Sequence, residues 1–211
     1  YVVKSGFTDV CLGLSGGIDS ALVAAIAADA LGPDHVHALL MPSRYSSEHS
    51  IADATDLAAT LGIDHRTIRI EAAHASLLTL LEGSLGEVPT GSTDENLQAR
   101  IRGVLLMAHA NASGWLVLTT GNKSESAVGY STLYGDTAGA FAVIKDIYKL
   151  TVYDLARWRN SQPDGPVISE QIISKPPSAE LRPDQRDDQS LPPYEVLDPL
   201  LEAYIEGDRT R

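Results

Sequence analysis

From residue 10 to residue 119, short apolar runs alternate with longer amphipathic stretches. Residues 10–14, Val-Cys-Leu-Gly-Leu, read as a buried strand. The run breaks at Ser15-Gly16-Gly17 and enters an alanine-rich helical pattern over 18–31, which Gly32-Pro33 stops. A second strand is predicted over 35–41, ended by Pro42, with a polar loop Ser43-Arg44-Tyr45-Ser46-Ser47-Glu48 behind it. A helix follows over about 48–61, capped by Ser46 or Ser47 and closed by Gly62. Residues 65–70 alternate polar and apolar as a third strand, and a helix is expected over about 72–81. Residues 83–93 are turn-rich and read as a mobile surface loop. Thr93 or Asp94 caps the next helix, which runs to about Ala112 with Leu97, Ile101, Val104, Leu105 and Ala108 on one face. Residues 115–119 form a short apolar strand.

Beyond Thr120 the periodicity weakens. Thr120 to Glu125 is a polar turn into a short helix, and 129–139, rich in Gly, Tyr and Thr, is a shaped loop. Residues 149–159 are an amphipathic helix carrying Leu150, Val152, Tyr153, Leu155, Ala156 and Trp158. The stretch from Ile172 to Asp188 is too polar for core and is expected to be a lid or surface excursion. A last helix covers about 194–205, and Tyr1 to Phe7 looks like a helix end closed by Gly6. Strands alternating with helices imply right-handed βαβ units: an α/β fold, a three-layer doubly wound parallel sheet of about five strands with helices on both faces. Ligands of such a sheet sit off the carboxyl ends of its strands, which singles out the loops 15–20, 41–45 and 119–125.

Composition narrows the classes. The 211 residues are 44% hydrophobic and 21% charged, as in an ordinary globular domain, and the apolar runs are too short to span a bilayer. A net charge of −12 argues against broad nucleic-acid binding, which needs basic patches on phosphates. The single cysteine, Cys11, excludes an internal disulfide and suits a reducing, cytoplasmic setting, where it is expected to be a buried, inert thiol. The first residue is Tyr1, so an excised or processed piece is expected.

The chemistry concentrates where the first strand meets the first helix. Gly16 and Gly17 let backbone approach an anion, and the free N–H groups and dipole of the following helix favour negative charge there. A P-loop would carry a lysine at its end; here that lysine is missing and Asp19 stands in the first turn. A carboxylate beside a polyphosphate needs a cation between them, so Asp19 reads as a Mg²⁺ ligand, with Ser15 and Ser20 donating to phosphate. The plainer alternative is that Ser15 and Asp19 only cap the helix. Glu125, just past the 115–119 strand, can reach the same Mg²⁺, or can simply be solvated. Arg100 and Arg102 suit planar or anionic recognition, or else an ordinary exposed helix face. Arg44 can stack on a base or pair a phosphate, or be surface charge. Lys145, Lys149 and Lys175 are scarce cations that a pyrophosphate leaving group needs; Lys145 has the strongest case for being merely solvated. The six histidines show no metal-ligand spacing.

Residues Gly13, Leu14, Ser15, Gly16, Gly17, Ile18, Asp19 and Ser20 resemble the signature of the ATP pyrophosphatase group, which cleaves ATP between its α- and β-phosphates. Thr119-Thr120-Gly121-Asn122-Lys123-Ser124-Glu125 and Gly129-Tyr130-Ser131-Thr132-Leu133-Tyr134-Gly135-Asp136 are more specific. With 43–50, 95–103, 144–149, 174–188 and 190–194, they are similar to the synthetase domain of glutamine-dependent NAD synthetases, over nearly the whole chain.

The resemblance implies an adenine nucleotide alpha hydrolase-like fold, one synthetase domain over 1–211, and ATP-dependent amidation of deamido-NAD through an acyl-adenylate, releasing AMP and pyrophosphate. It implies ATP on residues 13–20 and Thr120, with Lys149 and Ser178 on its phosphates and Arg44 by the adenosine. Asp19 and Glu125 would hold Mg²⁺, with a place nearer the dinucleotide as the alternative for Glu125 in the long enzymes, and Arg100 would meet deamido-NAD. It further implies a homodimer or larger assembly, and ammonia from glutamine through a separate glutaminase domain. Nothing here resembles that glutaminase, and a basic segment of the family's carboxyl terminus does not follow Arg211. Two rivals share the phosphate loop: another adenylating amidotransferase such as GMP synthetase, and a non-catalytic ATP-binding module.

Overall fold

The computed structural model describes residues 1–207. Five strands form one parallel sheet in the order β3-β2-β1-β4-β5: β1 (Val10–Gly13), β2 (Val36–Leu40), β3 (Asp64–Thr67), β4 (Leu116–Thr119) and β5 (Phe141–Ala142). The helices are α1 (Ile18–Leu31), α2 (Glu48–Leu61), α3 (Glu71–Leu85), α4 (Ser92–Ser113), α5 (Lys123–Val128), α6 (Lys149–Asn160), α7 (Glu170–Ser174) and α8 (Tyr194–Ile205). The register runs Val10 beside Val36 on one side of β1 and beside Leu116 on the other.

Both faces of the central strands are buried, so each strand feeds two cores. Val10 and Leu12 of β1, Ala38 and Leu40 of β2, and Leu116 and Leu118 of β4 join the core under α1, α2, α6 and α7. Cys11, Leu39 and Val117 point the other way, to Ile101, Leu106 and Ala110 of α4. The alanines of α1 follow from this. The helix is wedged between the sheet and its neighbouring helices and is buried on almost every side, so small side chains let it pack close.

The expected three-layer architecture is the one observed, and the predicted helices over 18–31, 48–61 and 194–205 have those limits. Five expectations need correction. Neither Thr93 nor Asp94 caps α4: both lie inside it, and its N-cap is Gly91, with no side-chain cap. The third strand ends at Thr67 and is exposed throughout, a polar edge strand whose charges discourage further pairing. The 83–93 loop is shorter than expected, because α3 continues to Leu85 and α4 begins at Ser92. The buried face of α4 carries Gln98, Ala99, Ile101, Gly103 and Leu106, while Val104 is 67% exposed. The stretch from Ile172 to Asp188 does contribute to the interior: Ile172 and Ile173 of α7 enter the core, and Gln185 and Asp187 are buried. The fifth strand, β5, is two residues long and pairs with Leu118 and Thr119. It lies in the apolar run 140–144, where no strand was assigned.

Candidate active site

The order of strands reverses its direction of growth between β1 and β4: β2 and β3 lie on one side, β4 and β5 on the other. Loops leaving the carboxyl ends of β1 and β4 therefore part and leave a crevice. A cavity of about 300 Å³ opens there. Its floor is the loop from β1 to α1, its sides come from the ends of β2 and β4 and from α4 and α6, and residues 175–181 cover it.

The β1–α1 loop is shaped by close approach. Gly16 has φ +82°, and a Cβ there would overlap the carbonyl oxygen of Ser50 at the start of α2. Glycine is thus required twice over, for the left-handed backbone and for space. Ser20 Oγ donates to the Gly17 carbonyl at 3.0 Å, and Ser15 Oγ accepts from Gly17 N at 3.2 Å, so the two serines hold the loop. The capping alternative does not hold for Ser15 or Asp19: Gly17 is the N-cap of α1, with no side-chain cap. The first-turn N–H groups have no helical carbonyl to bond, which is the usual state of a helix start.

Asp19 turns instead toward β4 and α6. Its Oδ2 accepts from Lys149 Nζ at 2.5 Å and its Oδ1 from Asn122 Nδ2 at 2.9 Å. Glu125 Oε1 takes the same ammonium at 3.3 Å. Lys149 is 2% exposed, and the two part-buried carboxylates face its ammonium from the cavity wall. Burial, reinforced by the Asp19 charge, pushes the Glu125 carboxyl well above the usual glutamate range despite Lys149. Burial opposes the charge on Lys149, but Asp19 and Glu125 outweigh it and hold the ammonium's pKa above the ordinary lysine value. Burial likewise raises the carboxyl of Asp187, on the same cavity wall.

Asn122 organises both carboxylates. It caps α5, accepting from Glu125 N at 2.9 Å, while its amide donates to Asp19. It is fully buried. The sequence reading gave it no role, although an Asn before a short helix is a cap signal.

The structure brings together Gly13, Leu14, Ser15, Gly17, Ile18, Asp19, Ser20, Thr120, Glu125, Lys149 and Ser178 around the cavity, with Gly16 directly behind its floor. It does not bring in Arg44, which pairs with the part-buried Glu71. Nor does it bring in Arg100, whose Nε donates to the Leu133 carbonyl at 3.2 Å on the outer side of α4. Arg102, two residues on, turns inward and donates to the Met41 carbonyl at 2.9 Å. Burial lowers its pKa to about 10, so it stays charged at neutral pH. Helical spacing separates the two arginines by more than half a turn, and only the inner one can reach the cavity. Lys175 lines the cavity as well, whereas Lys145 does not.

The donor set can be tested against Mg²⁺. Among the described residues no group of three or more His, Cys, Asp or Glu is arranged for a metal. Mg²⁺ usually takes only one or two carboxylates from a protein and completes its shell with phosphate and water. Asp19 and Glu125, converging on one point beside the phosphate-loop helix, fit that habit, with a phosphate supplying the remaining oxygens.

The family model described as NAD synthase matches residues 1–211. The chain belongs to the NAD synthase family. Among NAD synthase relatives, the glutamine-dependent NAD(+) synthetase of Acinetobacter baylyi is 54% identical over 211 residues, all of this chain and 39% of that protein. The chain therefore spans well under half the length of this relative. The glutamine-dependent NAD+ synthetase from Acinetobacter baumannii, solved in complex with adenosine diphosphate, superposes with a TM-score of 0.81 at 49% identity, covering 99% of this chain and 37% of that one. The NMN synthetase from Francisella tularensis gives a TM-score of 0.85 at 28% identity, covering 99% of this chain and 81% of that one.

Proposed function

We propose that this chain is the synthetase part of a glutamine-dependent NAD synthetase: it uses ATP to amidate deamido-NAD, with AMP and pyrophosphate as the other products. The observation that carries the reading is the Asp19–Lys149–Glu125 cluster, with Lys149 buried, beside a lysine-free glycine loop in the cavity that residues 175–181 cover. The dinucleotide is preferred to a mononucleotide because the glutamine-dependent relative is 54% identical and the NMN synthetase 28%.

The nicotinate carboxylate attacks the α-phosphorus of ATP. The bond to the β-phosphate oxygen breaks and pyrophosphate leaves. Ammonia then adds to the acyl carbon of the adenylate, AMP departs, and the amide remains. In this reading the first-turn N–H groups of α1, with Ser15 and Ser20, hold the phosphates, and Thr120 lies against the nucleotide. Lys149 releases one carboxylate and carries its charge to the leaving pyrophosphate, joined by Lys175 and by Ser178 from the cover. Asp19 and Glu125 would hold Mg²⁺, which when bound supplies positive charge for the phosphates. Arg102 balances negative charge from the cavity wall. Arg100, outside the cavity beside Leu133, is kept for the part of deamido-NAD that projects beyond it, and Arg44 for the adenosine side once it leaves Glu71. Residues 175–181 exclude water, which would hydrolyse the adenylate. Ammonia comes from glutamine through a separate glutaminase domain, and the working form is a cytoplasmic homodimer or larger assembly. The buried free Cys11 suits that compartment, and no described helix is long and apolar enough to cross a membrane.

The test supplies ATP, Mg²⁺ and ammonia with one acceptor at a time: deamido-NAD, deamido-NMN or XMP. AMP and pyrophosphate should form one for one with deamido-NAD, and carboxylate ¹⁸O should pass into AMP. Turnover only with XMP, or ATP binding with no pyrophosphate, would overturn the assignment.

A further inference from the structure

The cover of the cavity is tied down at one conspicuous point. Glu180 has φ +49°, a left-handed backbone that glutamate rarely adopts. Its carboxylate reaches the start of α2, more than a hundred positions away in the chain. There Oε2 accepts from Ser47 N at 3.1 Å, and Oε1 accepts from Ser50 Oγ at 2.6 Å and Ser47 Oγ at 3.0 Å. Ser50 Oγ also accepts from Lys175 Nζ at 2.8 Å, so one hydroxyl joins both ends of the cover. The Ser50 carbonyl packs against Gly16 of the phosphate loop. The next residue is held from the opposite side: Gln98 of α4 donates from Nε2 to the Leu181 carbonyl at 2.9 Å. Helices α2 and α4 lie on opposite faces of the sheet, so the cover is a strap across its carboxyl edge, pinned to one layer by Glu180 and to the other by Gln98.

We propose that Glu180 is a positioning residue: its carboxylate, seated on Ser47 and Ser50, holds the strap shut over the cavity and fixes Ser178 and Lys175 against the phosphate loop. The geometry gives the reason for a carboxylate. Three donors, one a backbone N–H at a helix start, converge on its two oxygens. Glutamine has one acceptor oxygen and would turn its NH₂ toward a donor. Within the strap, Ser178 Oγ accepts from Glu180 N at 3.1 Å and donates to the Gln185 carbonyl at 2.6 Å, so the side chain meant for phosphate is placed through the same residue. Its carboxylate is taken up by Ser47 and Ser50, so it acts through Ser178, Lys175 and the exclusion of water.

The inference concerns the amidating site proposed above, so its test has one arm that does not depend on that activity. Backbone hydrogen exchange of residues 175–187 is measured in wild type, E180A and E180Q without added nucleotide. E180A should lose protection there by about 10-fold or more, E180Q by less, with exchange in β1 and α1 unchanged. Equal protection in all three proteins overturns the latch. The second arm counts AMP released per amide formed. Wild type should give one; E180A should give roughly two or more, with a raised KM for ATP, because water reaches the adenylate. A ratio of one in E180A with a loosened strap overturns the water-excluding role. Absence of AMP in the wild type itself defeats the amidating assignment and leaves the exchange result to judge the latch.

Discussion

The two edges of the sheet carry similar side chains and do different things with them. At the amino edge, Asp9 Oδ1 lies 3.3 Å from both His35 and His37, Asp64 lies 3.4 Å from His37, and His37 stacks on Trp115 with centroids 3.8 Å apart. At the carboxyl edge, Asp19 and Glu125 share Lys149. Both are clusters in which carboxylates meet nitrogen-bearing side chains across strands. The amino-edge group is more open, with His35 and Asp64 about half exposed, and hydrogen bonds from Thr8 and the histidines draw the Asp9 carboxyl below its usual value. At the carboxyl edge Lys149 is buried and its two carboxylates sit part-buried in the cavity wall, so burial and a like charge drive Glu125 the other way. The side-chain chemistry is related; a buried ammonium, a cavity and a glycine loop separate a site from a surface network.

Substitutions at both edges sharpen that contrast. The largest effect is expected from Asp19→Ala, which should lower pyrophosphate release by about 10²–10³-fold or more when ammonia is supplied, since it removes a charge that holds both Lys149 and the metal. Near-normal release would break the assignment of Asp19. Lys149→Met comes next. It leaves two part-buried carboxylates facing each other without a counter-charge, so urea unfolding at pH 8 should show a loss of about 2–4 kcal/mol. Glu125→Gln is smaller and depends on pH. The folded pKa of Glu125 is raised, so the native state binds its proton more tightly than the unfolded chain. Wild-type stability then falls as pH rises from the ordinary glutamate range to the raised value. Glu125→Gln removes that slope, and its stability relative to wild type should climb by on the order of 1 kcal/mol across the window. The smallest effect belongs to Asp9→Asn. The Asp9 pKa is lowered, so its contribution is present above the unfolded value and lost as pH falls, a slope of opposite sign. The change should stay within about 1 kcal/mol at neutral pH, with turnover unaltered.

Much of this architecture can be read from residue order alone. Apolar runs of the central strands and glycine stops of the helices locate β1, β2, β4 and most helices because both faces of the sheet are buried. Ser15, Asp19, Glu125 and Lys149 are legible because turn chemistry and scarce charge mark them. Other features depend on three dimensions. β5 is too short for periodicity, and its strand character comes from pairing with Leu118 and Thr119. Arg102 looked like its neighbour Arg100 until the packing of α4 set which one faces inward. Asn122 and Glu180 are polar residues in polar stretches, and only contacts across the chain give them roles. The polarity of 172–188 misled for the same reason: its buried groups, Gln185 and Asp187, are satisfied by Leu181 N and by the hydroxyls of Tyr130 and Tyr194.

The most direct measurement is a crystal structure with a non-hydrolysable ATP analogue and Mg²⁺. The account predicts the triphosphate on the first-turn N–H groups of α1, the metal between Asp19 and Glu125, and Lys149 turned from Asp19 or Glu125 to phosphate. A triphosphate bound elsewhere, with Lys149 still between its two carboxylates, would contradict it.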